Sequence, residues 1–226
     1  MKKLCFIEME GVLSSIGSYI ADEKLVNSFL TDLTKFCKSN KIELYLVSGH
    51  HEPIAQNKFC ENKFSEFFDE EHFLCVSEEY ISKKDKGDKE LHRTNLEKDK
   101  HFLDNYFKQV AILDILKEKD LHPKDALLLG DDVWTDGYYT NRFSKVDFAI
   151  FEGNVVDRGK PIERINGLAH FSLEFPSVKQ LLENFPLTNG ASLDRYVFEV
   201  MKKVLVGDNV KDIARAVISK RAKENN

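Results

Sequence analysis

Short apolar runs alternate along residues 1–185 with segments whose apolar positions recur every three or four residues. Leu4, Cys5, Phe6 and Ile7 form the first run, which ends in Glu8-Met9-Glu10 and is broken by Gly11. Such an unbroken run predicts a strand covered on both faces that hands its last side chains to a turn. Leu25, Phe29, Leu33, Phe36 and Cys37 then share one helix face to about residue 39, with Asp22 placed to cap the helix start. Residues 42–47 (IELYLV) predict a second buried strand, followed by Ser48-Gly49-His50-His51, which reads as a loop. Between 52 and 107 the pattern loosens: Phe64, Phe67 and Phe68, then Phe73, Leu74 and Val76, are interrupted by charge, and 82–100 reads as a solvated loop or helix rim.

Lys108 opens the next helical pattern, carrying Val110, Ile112, Leu113, Ile115 and Leu116 and stopping near His122-Pro123. A cation at a helix start is disfavoured by the dipole, so an anion or acidic partner would be the reason for it. Residues 126–129 (ALLL) predict a third buried strand that runs into Gly130-Asp131-Asp132-Val133-Trp134-Thr135-Asp136. Strands over 146–151 and 170–175 and a helix over 177–184 complete the series. Alternating strands and helices predict an α/β domain, an open parallel sheet with helices on both faces, making three layers. Ligands of such sheets bind beyond the C-terminal ends of the strands.

The composition, 42% hydrophobic with 17 Phe, supplies a core for one large domain over 1–185, with 52–107 as an insert or partial cap and 187–226 as an extension. The extension predicts two amphipathic helices separated by Gly207, one with Leu193, Tyr196, Val197, Val200, Met201, Val204 and Leu205, the other with Val210, Ile213, Ala214, Val217 and Ile218. The plainest reading packs this hairpin on the main domain. The alternatives are a subunit interface, contact with a further domain, or an anionic membrane surface, to which eight Lys or Arg against five Asp or Glu would contribute.

A net charge of -5 without a basic stripe in the main body argues against non-specific nucleic-acid binding. No apolar run reaches the roughly 18 residues of a membrane span, and no apolar leader precedes a small-residue cleavage site. The expectation is a soluble protein without a Sec-type signal peptide, cytoplasmic or exported by a signal not legible here. Cys5, Cys37, Cys60 and Cys75 form no CxxC pair and stand at no zinc-finger spacing from histidine, so they read as reduced core thiols. None is followed six positions later by Arg, which removes a cysteine-based route to phosphate release.

Three of the apolar runs end in groups that handle cations or phosphoryl groups. Glu8 and Glu10, at the point where a strand gives way to a loop, can converge on one cation, though a solvated strand end is the plainer alternative. Ser48 either terminates its strand or offers a hydroxyl at the same edge. Asp131, Asp132 and Asp136 repel one another unless a cation or a lysine sits among them. His50 and His51, being adjacent, are poorly placed to ligate one ion together.

The ordered set Glu8-Met9-Glu10-Gly11-Val12, Ser48-Gly49, Lys108 and Gly130-Asp131 through Asp136 resembles the four motifs of the haloacid dehalogenase superfamily, mostly Mg2+-dependent phosphatases. Lys108 stands 22 residues before Gly130, and the resemblance covers roughly 1–185. It implies a Rossmann-like core and phosphoryl transfer, with Glu8 as nucleophile and Glu10 as acid/base whose backbone carbonyl also ligates the metal. Ser48 and Gly49 would bind the phosphoryl group, and Lys108 would hold the charge of nucleophile and phosphate. Asp131, with Asp132 or Asp136, would complete a Mg2+ shell shared with Glu8 and Glu10.

The family carries Asp where this chain has Glu8 and Glu10. Each exchange adds a methylene, about 1.5 Å of reach, and a ~1 Å misplacement can cost ~100-fold in rate. Two expectations follow: a Mg2+-dependent phosphatase, or a catalytically weak relative that binds phosphate and Mg2+ or serves as a scaffold. Only about 40 residues separate Glu8 from Ser48 and about 60 separate Ser48 from Lys108, which leaves room for a partial cover at most. An open site admits bulky phosphoesters, including phosphotyrosine on a protein whose ring would meet Phe side chains or Trp134.

Overall fold

Strand β1 (Leu4–Glu8) lies inside a six-stranded sheet of order β3-β2-β1-β4-β5-β6. The computed structural model describes residues 1–14, 23–84, 86–90, 102–130, 136, 139–150, 169–171 and 205–206. Its elements run β1, α1 (Glu23–Ser39), β2 (Glu43–His51), α2 (Glu52–Glu61), β3 (Phe73–Val76), α3 (Glu78–Ser82), α4 (Phe102–Glu118), β4 (Ala126–Gly130), α5 (Tyr139–Arg142), β5 (Asp147–Ile150) and β6 (Ala169–Phe171). β1 pairs in parallel with both β2 and β4, while β3 and β5 add parallel strands outside them.

Period-two alternation assigns the two faces. Cys5, Ile7, Leu46, Leu127 and Leu129 pack with Val26, Phe29, Leu30 and Leu33 of α1 and with Ala55 and Phe59 of α2. Leu4, Phe6, Tyr45, Val47 and Leu128 pack with Ile112 and Leu116 of α4. Each fully buried side chain of this kind contributes about 1.5–3 kcal/mol. Because both faces are covered, the strands read as continuous apolar runs.

Several expectations change. β6 is antiparallel to β5, so the sheet is not wholly parallel. An antiparallel return, unlike a parallel one, needs no crossover helix. Residues 52–76 do not form a separate cover: they supply α2 and the edge strand β3. β2 extends through Ser48 to His51 instead of giving way to a loop there, and its register against β3 shifts between Ser48 and His51. α4 begins at Phe102, which puts Lys108 in its second turn; the dipole argument for that lysine therefore falls. Of the four free cysteines, Cys5 and Cys37 are core thiols, whereas Cys60 is exposed and Cys75 half-buried. Burial pushes the Cys37 thiol up to about 12.

Leu205 is fully buried against the α1 side of the sheet, and its carbonyl accepts the backbone N–H of Lys2 at 2.7 Å. That turn of the extension packs on the main domain. The rest of the extension, Asp22, the helix over 177–184, and Asp131, Asp132 and Trp134 lie outside the described residues. Among the described residues no helix is long and apolar enough to cross a membrane.

Candidate active site

The strand order sets where a ligand would sit. The chain builds outward from β1 through β2 and β3 on one side and through β4, β5 and β6 on the other. The gap beyond the C-terminal ends of β1, β2 and β4 is the switch point at which open α/β sheets bind ligands. Glu8 is the last residue of β1, Ser48 lies in β2 one residue beyond Glu8's partner Val47, and Asp136 follows β4.

Glu8 shares the parity of Leu4 and Phe6, so it projects towards the α4 layer, where Lys108 meets it. The ammonium Nζ donates to Glu8 Oε2 at 2.8 Å and to Asp136 Oδ1 at 2.5 Å. All three side chains are nearly inaccessible, at 2% for Lys108, 7% for Glu8 and 2% for Asp136. Gly130 makes the Asp136 contact feasible: a β-carbon at 130 would stand 2.5 Å from the Asp136 carboxyl carbon. The second Glu8 oxygen, Oε1, accepts the backbone N–H of Gly49 at 3.2 Å, at the register shift in β2. A β-carbon at 49 would lie 2.9 Å from Oδ1 of Asn105, one turn before Lys108 on α4, so a larger residue there would push that amide aside.

Glu10 belongs to the other side of the edge. Beyond β1, Gly11 adopts φ 85° and the chain doubles back, with the N–H groups of Leu13 and Ser14 donating to Met9 O. Only glycine reaches that conformation without strain. Met9 is buried in the α1 side of the core, and Glu10 turns to Ser48, whose hydroxyl lies 2.9 Å from Oε2 and 3.1 Å from Oε1. Lys58 of α2 reaches the same carboxylate, Nζ to Oε1 at 3.5 Å, with its side chain 3% exposed. The site thus straddles the strand ends: Glu8, Lys108 and Asp136 on the α4 side, Glu10, Ser48 and Lys58 on the α2 side.

Burial pushes the Glu8 carboxyl well above the usual carboxylate range; Lys108 opposes this, while the charges of Asp136 and Glu10 add to it. Loss of water would lower Lys108, but Asp136 and Glu8 outweigh that and hold it above the ordinary lysine value. The two directions agree once formal charges are counted. At this edge Glu8, Glu10 and Asp136 face the ammonium groups of Lys58 and Lys108, an excess of one negative charge among the described residues of the site. A proton on Glu8 balances it, and so would an added cation, which is the respect in which these residues fit a divalent metal. The one group of three ligand residues among the described residues with donor atoms all within 4.8 Å of one another is elsewhere, the largely exposed Asp69, Glu71 and His72.

Of the residues singled out in the sequence, Glu8, Glu10, Ser48, Gly49, Lys108 and Asp136 come together at one sheet edge. Asp131 and Asp132 fall outside the described residues, as do the side chains of His50 and His51. Ser48 donates to Glu10 rather than standing apart from the acids. Lys58 was not legible as a site residue, yet a signal existed: Ala55, Lys58 and Phe59 occupy helix positions i, i+3 and i+4, so the lysine interrupts an otherwise apolar stripe.

No protein family and no curated protein matches the chain. Among solved structures it is similar to a hypothetical protein from Xanthomonas campestris, at 14% identity and a TM-score of 0.34 over 63% of this chain and 61% of that one. The match thus spans less than two thirds of that protein's length.

Proposed function

We propose that the chain is a phosphoric monoester hydrolase of the haloacid dehalogenase kind, using a carboxylate nucleophile with Mg2+. The observation that carries the reading is the convergence of Glu8, Glu10, Ser48, Lys108 and Asp136, widely separated in sequence, at the switch point of one sheet. For turnover the site's one proton has to rest on Glu10: Glu8 then attacks phosphorus as a carboxylate, in line with the departing ester oxygen, and Glu10 gives that oxygen the proton. A water that returns its proton to Glu10 then hydrolyses the acyl phosphate on Glu8. Lys108 holds Glu8 in place and offsets charge on the phosphoryl oxygens, and Asp136 anchors the lysine. The Gly49 N–H, already aimed at Glu8, is positioned to donate to a phosphoryl oxygen. Mg2+ would be held by Glu8, the Glu10 carbonyl and acids of 131–136, and would supply Lewis-acid stabilisation of the phosphoryl group. The short spacings from Glu8 to Ser48 and from Ser48 to Lys108, with 52–76 committed to the sheet, favour bulky esters such as protein phosphotyrosine.

One observation favours the second reading, a phosphate- and metal-binding relative with little turnover. Both Glu8 oxygens are already occupied, and burial favours its uncharged, non-nucleophilic form. Hydrolysis of p-nitrophenyl phosphate with and without Mg2+, in wild type and Glu8→Ala, separates the two. A metal-dependent rate that Glu8→Ala abolishes is expected; no such rate in the wild type leaves the second reading.

A further inference from the structure

We propose that Lys58 is a positioning residue of this site, acting through Glu10; the inference rests on the phosphatase reading and deepens it. α2 lies against the sheet through Ala55, Lys58 and Phe59, and the Phe59 ring stacks on Phe73 of β3 with centroids 4.5 Å apart. This contact fixes the rotation of the helix, so the Lys58 stem enters the core and its ammonium emerges at Glu10. A lysine is rarely buried this fully unless it is paired. Its place in the last turn of α2 suits the helix dipole, but that favours any exposed lysine there and gives no reason to bury one.

What Lys58 accomplishes follows from Glu10 itself. Glutamate has one more rotatable bond than aspartate, so a carboxylate that must meet a leaving-group oxygen needs more restraint. Ser48 holds Glu10 from β2 and Lys58 holds it from α2, two elements in different layers. The second restraint compensates for the longer arm. Nothing in the family resemblance assigns a role to this position.

Lys58→Met, Lys58→Gln and Lys58→Arg are compared with wild type on two esters in Mg2+, p-nitrophenyl phosphate and glycerol 2-phosphate. The alkyl ester depends more on proton donation to its leaving group. Lys58→Met should lower kcat on glycerol 2-phosphate about 10- to 100-fold with KM unchanged, and lower it distinctly less on p-nitrophenyl phosphate. Lys58→Arg should recover part of the loss. Calorimetric binding of inorganic phosphate with Mg2+ should be the same in wild type and Lys58→Met. Equal losses on the two esters, or loss of phosphate binding, would overturn the positioning role. If Lys58→Met does not fold, Lys58→Gln decides by the same comparison. A wild type with no metal-dependent turnover of either ester removes the phosphatase reading and this inference together, an outcome distinct from equal losses in an active enzyme.

Discussion

Replacing Lys108 by Met is the sharpest test of the site's electrostatics. Methionine is nearly as long as lysine and fills the same space, so the change removes the ammonium with little loss of packing. Glu8 and Asp136, at 7% and 2% side-chain exposure, lose the cation 2.8 and 2.5 Å away. Breaking a buried pair from one side typically costs about 3–5 kcal/mol. Glu8 already favours a bound proton and can shed its charge, so the lower end applies, about 3 kcal/mol. For a domain of this size that is a fall in melting temperature of roughly 6–12 °C. Differential scanning calorimetry at neutral pH without added metal reads it directly. Adding Glu8→Gln should restore part of the loss, because an amide needs no proton taken up at neutral pH to stay uncharged there. A Lys108→Met protein melting with the wild type, or a double variant melting lower than the single one, would refute the reasoning.

Two further outcomes follow. Because burial raises Glu8 above its unfolded value of about 4.5, the stability its protonated form contributes is complete below that value and is lost as pH rises through the folded one. In thermal melts the metal-free wild type should therefore lose stability with rising pH relative to Glu8→Gln, and a parallel dependence in both would count against it. Leu205→Ala empties a fully buried site against the sheet and should cost about 2–5 kcal/mol by urea unfolding; an unchanged midpoint would mean the Leu205 contact adds nothing to the main domain.

The strands were legible wherever burial on both faces made them continuous apolar runs: 4–7, 42–47 and 126–129 all fall in or beside β1, β2 and β4. β3 was obscured because its four residues sit at the sheet edge, where Leu74 and Cys75 are only partly buried and charged neighbours break the pattern. The acids were visible because paired carboxylates at a strand end are unusual. Their partners were less so. Lys108 could be named but not oriented, since its helix starts six residues earlier than the apolar stripe suggested. Lys58 was hidden because one lysine on a ten-residue helix looks like an ordinary surface residue until the facing acid is known. The split of the site between two layers depends on the turn at Gly11 and the register shift in β2, which are properties of backbone geometry.

The position of β1 between β2 and β4 has a consequence for how the chain is made. This strand leaves the ribosome well before β4, yet one of its hydrogen-bonding edges is sealed only by residues 126–130. At a synthesis rate of about 5–20 residues per second, that edge waits roughly 6–24 s for its partner. An apolar strand with an open flank for so long is a natural client for chaperones, and a nascent chain stalled before residue 126 should be the species most prone to clump.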